Sequence, residues 1–108
     1  MILIIGGFNQ GKTAYAKSHY KDADKRIFYL NDWVRVQEET EDPAQTAQRL
    51  FTEHADMICI TDEVGKGIVP LDRRERAFRE RVGRIQISLA EKADEVIHVT
   101  CGIGRKIK

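Results

Sequence analysis

The hydrophobic positions of this 108-residue chain cluster in four short runs. They are ILII (residues 2–5), RIFYL (26–30), MICIT (57–61) and EVIHVT (95–100). Each run is almost continuous and does not alternate with polar residues, which is typical of strands buried on both faces of a parallel sheet. The pattern therefore predicts four strands in the interior of the protein.

Helical patterns separate these runs. The first predicted helix spans about Gly11–His19. The second is predicted to begin at Asp42, whose side chain would cap it and which precedes Pro43. The third is predicted to begin near Asp72, with Glu75 three residues later as the partner in a capping box. One apolar stripe at helical spacing marks the third helix: Phe78, Val82, Ile85 and Leu89.

Strands and helices alternate along the chain, and this order predicts an α/β fold in which helices cover both faces of the sheet. We expect a mostly parallel sheet of about four or five strands, in a single domain over residues 1–108. Right-handed crossovers would bring the carboxyl ends of the strands, and the loops that follow them, to one edge.

Composition excludes several classes of partner. The net charge is only +1 and no run approaches the ~20 apolar residues of a membrane span, so neither nucleic acid nor membrane is an expected partner. The opening MILII is too short for the core of a signal peptide, which predicts a cytoplasmic protein. Residues 73–84 hold six arginines; a solvated helix face is the simplest interpretation, with a subunit interface or phosphate contacts as alternatives.

The two cysteines show no spacing typical of a metal site. Cys59 lies inside an apolar run, and Cys101 is far from it in sequence. We therefore interpret both as buried thiols in a reducing compartment, and we predict neither a disulfide nor a bound transition metal.

The segment GGFNQGKT, directly after the first predicted strand, fits the pattern of a phosphate-binding loop. Glycines allow the backbone to surround an anion, and the helix that follows adds the positive end of its dipole. In such loops the lysine, here Lys12, contacts the β- and γ-phosphates, and the hydroxyl of Thr13 ligates Mg²⁺. The sequence thus predicts ATP or GTP as substrate with Mg²⁺, bound by Gly6, Gly7, Phe8, Asn9, Gln10, Gly11, Lys12 and Thr13.

Acidic residues follow the second and third predicted strands, at the same edge of the sheet. Asp62 would hold Mg²⁺ together with Thr13, and Glu63 could orient a nucleophile. Asp32 would lie within reach of an acceptor hydroxyl, whereas Trp33 could either stack on a ligand or pack in the core. The predicted catalytic residues are Lys12, Asp62, Glu63 and Asp32.

Longer segments resemble one enzyme family. ITDEVGKGIVP (60–70) and AFRERVGRIQISLAEKADEVIHVTCGIGRKIK (77–108) are similar to the carboxyl-terminal half of the adenosylcobinamide kinase/adenosylcobinamide-phosphate guanylyltransferase family. MILIIGGFNQGKT resembles the amino end of that family, and IFYL resembles its next strand. Together these segments cover about three quarters of the chain.

This resemblance implies a P-loop enzyme of cobalamin assembly. Members phosphorylate the aminopropanol hydroxyl of adenosylcobinamide with ATP or GTP, and then transfer GMP from GTP through a guanylylated histidine. They form homotrimers. The resemblance carries phosphate binding over to the glycines, lysine and threonine of the loop, and it extends to Glu63, Gly65, Gly67 and Pro70. Arg79 and Arg84 also match, without an assigned role, while Asp62 stands where the family usually has Asn.

The chain departs from the family between its second and third strands. Members are longer, and because this chain ends with the family's own tail, the missing residues are expected to be internal. Glu38 and Glu39 fall near an acidic pair of the family, but Thr46 or Ala47 occupies the register of the guanylylated histidine, and His54 comes too late.

We therefore predict a compact cobinamide kinase whose guanylyltransferase step lacks its histidine. The alternative is a non-catalytic nucleotide-binding or regulatory module derived from the same family. A shortened sheet buries less apolar surface, at about 25 cal/mol per Å², so we also expect cover from a second subunit in a homo-oligomer, with a trimer as one form.

Overall fold

A computed structural model describes residues 1–37, 41–64 and 72–108 of the protein. The strands are β1 (Ile2–Gly6), β2 (Ile27–Tyr29), β3 (Ile58–Asp62), β4 (Glu95–Thr100) and β5 (Ile103–Lys106). The helices are α1 (Lys12–His19), α2 (Ala23–Arg26), α3 (Leu30–Arg35), α4 (Pro43–Glu53) and α5 (Arg73–Lys92).

The five strands form one sheet in the order β2-β3-β1-β4-β5. The first four strands are parallel, and β5 is antiparallel to β4. In this register Gly6, the last residue of β1, lies beside Asp62 of β3 and Val99 of β4. The predicted α/β fold with a mostly parallel sheet is confirmed, and the carboxyl ends of three strands meet at one edge.

Alternate residues of the sheet face two different helical layers. Leu3, Cys59 and Val96 pack with α3, α4 and α5 in one buried cluster. Ile4 and Ile60 belong to the opposite cluster, which α1 and α2 cover. The structure is therefore a three-layer sandwich, as the sequence predicts.

The apolar stripe of α5 faces this core. Val82, Ile85 and Leu89 are fully buried, while Phe78 is half-buried beneath the guanidinium group of Arg35 at 3.9 Å. The arginines of this helix are only partly solvated. Arg81 donates hydrogen bonds to the Thr46 hydroxyl of α4 and to the main-chain oxygen of Glu41, so the purely solvated interpretation of residues 73–84 is wrong for Arg81.

Of the two predicted helix N-caps, the structure confirms one and contradicts the other. The Asp72 carboxylate accepts a hydrogen bond from the Arg74 N–H at 2.7 Å and caps α5. Glu75 does not act as a simple capping-box partner, because both its carboxylate oxygens accept hydrogen bonds from Arg35. Asp42 precedes α4 as predicted, but its side chain makes no capping hydrogen bond.

Three short elements were not predicted: α2, α3 and β5. β5 forms a hairpin with β4 through a two-residue turn in which Cys101 and Gly102 both have positive φ, 52° and 75°. Positive φ at both central residues is the geometry of a tight hairpin turn. Too few residues lie in these elements to display a periodic hydrophobic pattern.

The predicted burial of both thiols is wrong for one of them. Cys59 is fully buried within β3, but Cys101 is exposed at the hairpin turn, and both are free thiols. Desolvation raises the pKa of the Cys59 thiol to about 12, which suppresses its reactive thiolate form. Among the described residues, no helix is long and apolar enough to cross a membrane.

The two isoleucines of α5 provide a matched test of the packing. Ile85→Ala should lower the free energy of unfolding by about 2–5 kcal/mol, since it leaves a cavity between α5 and the sheet. Ile87→Ala, at a side chain that is 64% exposed, should change it by less than about 0.5 kcal/mol. Denaturant titration measures both values. Equal losses in the two variants would contradict the orientation of the helix.

A thiol reagent should distinguish the two cysteines. We expect Cys101 to react with a disulfide reagent in the folded protein, and Cys59 to react only after unfolding, because Cys59 is buried and its thiolate is suppressed. Stoichiometry of labelling with and without denaturant measures this, and Cys101→Ser should abolish the reaction of the native protein. Rapid native labelling of that variant would show that Cys59 is accessible.

Candidate functional site

The loop from β1 to α1 has the backbone of an anion-binding loop. Asn9 and Gly11 have positive φ values of 59° and 91°, and the Gln10 N–H donates to the Gly7 carbonyl oxygen at 3.3 Å. Such a succession of turns is typical of loops whose N–H groups surround a phosphate. α1 then begins with no acidic side chain in its first turn and no side-chain cap, so the positive end of its dipole faces the same loop.

Close contacts explain why two positions of the loop require glycine. A Cβ atom on Gly6 would lie 2.3 Å from the main-chain oxygen of Val99, so no larger residue fits beside β4. A Cβ atom on Gly11 would lie 3.1 Å from the Cα of Gly102, in a backbone conformation that L residues rarely adopt. The hairpin turn therefore lies directly against the phosphate loop.

Gln10 joins the loop to that hairpin. Its side-chain Oε1 accepts a hydrogen bond from the Cys101 N–H at 2.7 Å, and its main-chain oxygen accepts one from the Gly102 N–H at 2.7 Å. The predicted phosphate loop thus depends on an element, β5 and its turn, that the sequence did not predict.

Lys12 links the loop to the end of β3. Its side chain is buried, and its ammonium nitrogen lies 2.7 Å from Oδ1 of Asp62 and donates to the Gly7 carbonyl oxygen at 2.6 Å. The structure thus brings together two of the predicted site residues, Lys12 and Asp62. A lysine at this position of a phosphate-binding loop can contact the β- and γ-phosphates.

A cavity of about 390 Å³ opens beside this pair. Thr13 lies on its wall and shares a hydrogen bond with the Tyr29 hydroxyl at 3.1 Å. Gly6 and Gly7, which were also predicted to bind phosphate, are not among the residues that line it. The cavity is lined by Phe8, Asn9, Gln10, Gly11, Lys12, Thr13, Ala14, Tyr29, Asn31, Asp32, Ile60 and Asp62.

The residues after β2 divide between the cavity and the core. Asp32 is exposed and lines the same cavity as the phosphate loop. Trp33 packs in the core cluster, with its ring 5.9 Å from that of Phe28 and the Arg49 guanidinium group 5.2 Å above it. Of the two alternatives for Trp33, its contacts therefore favour packing.

The Glu63 carboxylate is paired with a histidine side chain. Its Oε1 lies 2.7 Å from Nε2 of His98, and its main-chain N–H donates to the Gly6 carbonyl oxygen at 2.9 Å. Glu63 is not among the residues that line the cavity. Glu63 and His98 are separated by 35 positions, so no local sequence pattern could indicate this pair.

A polar network that no local sequence pattern predicts holds the end of β3. Oδ1 of Asn31 accepts hydrogen bonds from the Asp62 N–H at 3.0 Å and from the Thr61 hydroxyl at 2.7 Å. The buried amide of Gln86 donates to the Thr61 hydroxyl and to the Asp62 carbonyl oxygen, both at 2.7 Å. One signal was available: Gln86 is a polar residue beside the apolar stripe of α5.

The donors around the cavity fit the predicted Mg²⁺ ion. The Thr13 hydroxyl and the Asp62 carboxylate are hard oxygen ligands on the lining of one cavity. Across residues 1–37, 41–64 and 72–108, no three His, Cys, Asp or Glu side chains form a metal-binding group. Mg²⁺ usually takes one or two carboxylates together with substrate phosphates, so this donor set suits it better than it suits Zn²⁺.

The register of the guanylylated histidine is buried in this protein. Thr46 accepts a hydrogen bond from Arg81 inside the α4–α5 contact, and Ala47 lies in the core. His54 stacks on Phe28 with ring centroids 5.1 Å apart. Five further residues that the resemblance singled out lie outside the described part of the chain: Glu38, Glu39, Gly65, Gly67 and Pro70.

Comparisons with known proteins place the chain in a family. Residues 30–107 match the family model described as cobinamide kinase / cobinamide phosphate guanyltransferase, so the phosphate loop lies outside the matched region. A 54-residue segment is 52% identical to the bifunctional adenosylcobalamin biosynthesis protein CobU of Salmonella typhimurium and 50% identical to that of Escherichia coli. In both comparisons the segment covers 50% of this chain and 30% of the relative. The chain belongs to the cobinamide kinase / cobinamide phosphate guanyltransferase family.

Proposed function

We propose that this protein is a nucleotide-dependent kinase that phosphorylates the aminopropanol hydroxyl of adenosylcobinamide. The observation that carries the proposal is the pairing of Lys12 with Asp62 beside the cavity, where a phosphate-binding loop meets the acidic end of a strand. The two curated relatives, by their names, are bifunctional and act in adenosylcobalamin biosynthesis, which supports the same substrate class.

The proposed reaction moves the terminal phosphoryl group of ATP or GTP to a hydroxyl oxygen. A bond forms between that oxygen and the γ-phosphorus, the bond to the β-phosphate oxygen breaks, and the hydroxyl proton passes to a base. Catalysis of this kind depends mainly on positioning and on neutralising charge. Lys12 would neutralise the phosphates, and Thr13 and Asp62 would hold Mg²⁺, which adds positive charge when it is bound.

Asp32 is the better of the two predicted partners for the acceptor hydroxyl. It lines the same cavity as Lys12 and Asp62, whereas the Glu63 carboxylate is hydrogen-bonded to His98 and does not line the cavity. We propose that Asp32 orients the acceptor and takes its proton.

We do not extend the proposal to the guanylyltransferase step. The two positions in register with the guanylylated histidine are Thr46 and Ala47, and both are buried against α5 and the sheet. No described residue of α4 therefore offers an imidazole to the cavity. The predicted homo-oligomer also stays a prediction.

The second candidate is a nucleotide-binding module without kinase activity. The presence of Thr46 and Ala47 in the register of the guanylylated histidine favours it. Such a module needs only the phosphate loop, whereas a kinase also needs a site for the acceptor.

Substitution of Lys12 tests the phosphate site. Lys12→Ala should weaken binding of MgATP or MgGTP at least about tenfold, since it removes a charge-assisted contact worth about 1.5–3 kcal/mol. Lys17→Ala, at an exposed lysine of the same helix, is the matched control and should bind as the unchanged protein does. Calorimetric titration measures both. An unaltered affinity in Lys12→Ala would remove the basis for a nucleotide site here.

A turnover assay with the same samples separates the two candidates. Release of ADP or GDP only in the presence of cobinamide would support the kinase. Tight nucleotide binding without acceptor-dependent release would support the module.

Substitution of Asp32 tests the acceptor side. Asp32→Asn should lower kcat about 10²- to 10⁴-fold, because it removes a base, while the dissociation constant for MgATP stays the same. Glu63→Gln is the comparison and should affect kcat less, since Glu63 lies outside the cavity lining. Steady-state kinetics with cobinamide measures both. A larger loss in Glu63→Gln would transfer the role to Glu63.

A further inference from the structure

Asn31 has one polar group that the network around β3 does not use. Its Oδ1 accepts two hydrogen bonds, from the Asp62 N–H and from the Thr61 hydroxyl. The first partner can only donate. The second donates its hydroxyl hydrogen to Oδ1, while its oxygen accepts from the Gln86 amide. The Asp62 N–H therefore requires an oxygen at this position, and the amide nitrogen of Asn31, with two N–H groups, is left for another acceptor.

The network fixes this orientation. Thr61 and Gln86 are buried, and Gln86 is held on both sides because it also donates to the Asp62 carbonyl oxygen. A reversed Asn31 amide would place N–H groups against the Asp62 N–H and would leave the buried Thr61 hydroxyl without its acceptor. Asn31 is thus a rigid donor rather than an adaptable one.

The position of Asn31 indicates what it would contact. It lines the cavity, it is bonded to the backbone of Asp62, and it precedes Asp32 in the chain. The Lys12 ammonium group, at the Asp62 carboxylate, marks the place of the β- and γ-phosphates, and Asp32 marks the acceptor side. Asn31 therefore lines the same cavity as both of these groups.

We infer that Asn31 contacts the substrate, and that its amide nitrogen donates hydrogen bonds to the terminal phosphoryl oxygens of the bound nucleoside triphosphate. The inference rests on the proposed function and adds a residue to it. A neutral N–H donor suits an anionic phosphoryl oxygen, since the hydrogen bond is charge-assisted. It also gives the site a means to distinguish a triphosphate from a diphosphate.

The sharpest variant is Asn31→Asp. A carboxylate keeps an oxygen in the place of Oδ1, so the bonds from Asp62 and Thr61 can persist, but the donor is replaced by an anionic acceptor. Asn31→Ala removes the donor without adding charge. Thr61→Val is the control for the network, because it deletes one bond that anchors Asn31 and one acceptor of the Gln86 amide but keeps the Asn31 amide nitrogen and its bond from Asp62.

The measurement is the dissociation constant of the whole chain for a non-hydrolysable ATP or GTP analogue and for ADP or GDP, each with Mg²⁺. Asn31→Asp and Asn31→Ala should weaken triphosphate binding about 10- to 100-fold, while diphosphate binding changes less than about threefold. Thr61→Val should change both constants by the same small factor. Thermal unfolding of each variant identifies losses that come from misfolding.

An unchanged ratio of triphosphate to diphosphate affinity in both Asn31 variants would overturn the inference. Equal weakening of triphosphate and diphosphate binding would overturn it as well, since that result would mean that Asn31 only supports the structure of the site. Failure of the proposed kinase is a separate result, namely nucleotide binding without turnover that depends on cobinamide. A protein that binds neither nucleotide would overturn both.

Discussion

The parallel pairing of β1 with β3 is the constraint on which the site depends. It sets Gly6 beside Asp62, so the loop that leaves β1 must pass the acidic end of β3. Lys12, the first residue of α1, then reaches Asp62 with its ammonium group at 2.7 Å. A shift of one residue would turn every side chain of a strand to the other face, which would exchange the two core clusters as well as separate this ion pair. The same register therefore determines which side chains are buried and which side chains meet beside the phosphate loop.

The helices on the two faces serve different purposes. α1 and α2 cover one face and supply the phosphate loop with a helix amino terminus. α5 covers the other face with its apolar stripe, and one polar residue beside that stripe, Gln86, holds the last two residues of β3. A buried amide stabilises a fold only when its partners are satisfied, and both N–H contacts of Gln86 end on acceptors of β3. The packing helix thus also orients the end of the strand that carries Asp62.

The features that the sequence predicted correctly all depend on residues that are close together in the chain. The runs that became β1, β3 and β4, the stripe of α5 and the phosphate-loop pattern all lie within a few consecutive residues or one helical repeat. What was missed depends on distant partners or on very short elements. The donor role of Asn31 follows from Thr61 and Gln86, and the pairing of Glu63 follows from His98, so neither could be deduced from neighbouring residues. Cys101 was misjudged because a two-residue turn, with no periodicity, places it at the surface.

The hydrogen bonds between Gln10 and the β4–β5 turn have a consequence for how the protein folds. The hydrogen bond from Cys101 to Gln10 joins residues 91 positions apart, so the phosphate loop is completed by one of the least local contacts in the chain. Closing a loop of that length costs conformational entropy before the contact forms. The loop residues alone would therefore not hold this shape, and nucleotide affinity should appear late in folding, when the first strand and the final hairpin have joined the same sheet.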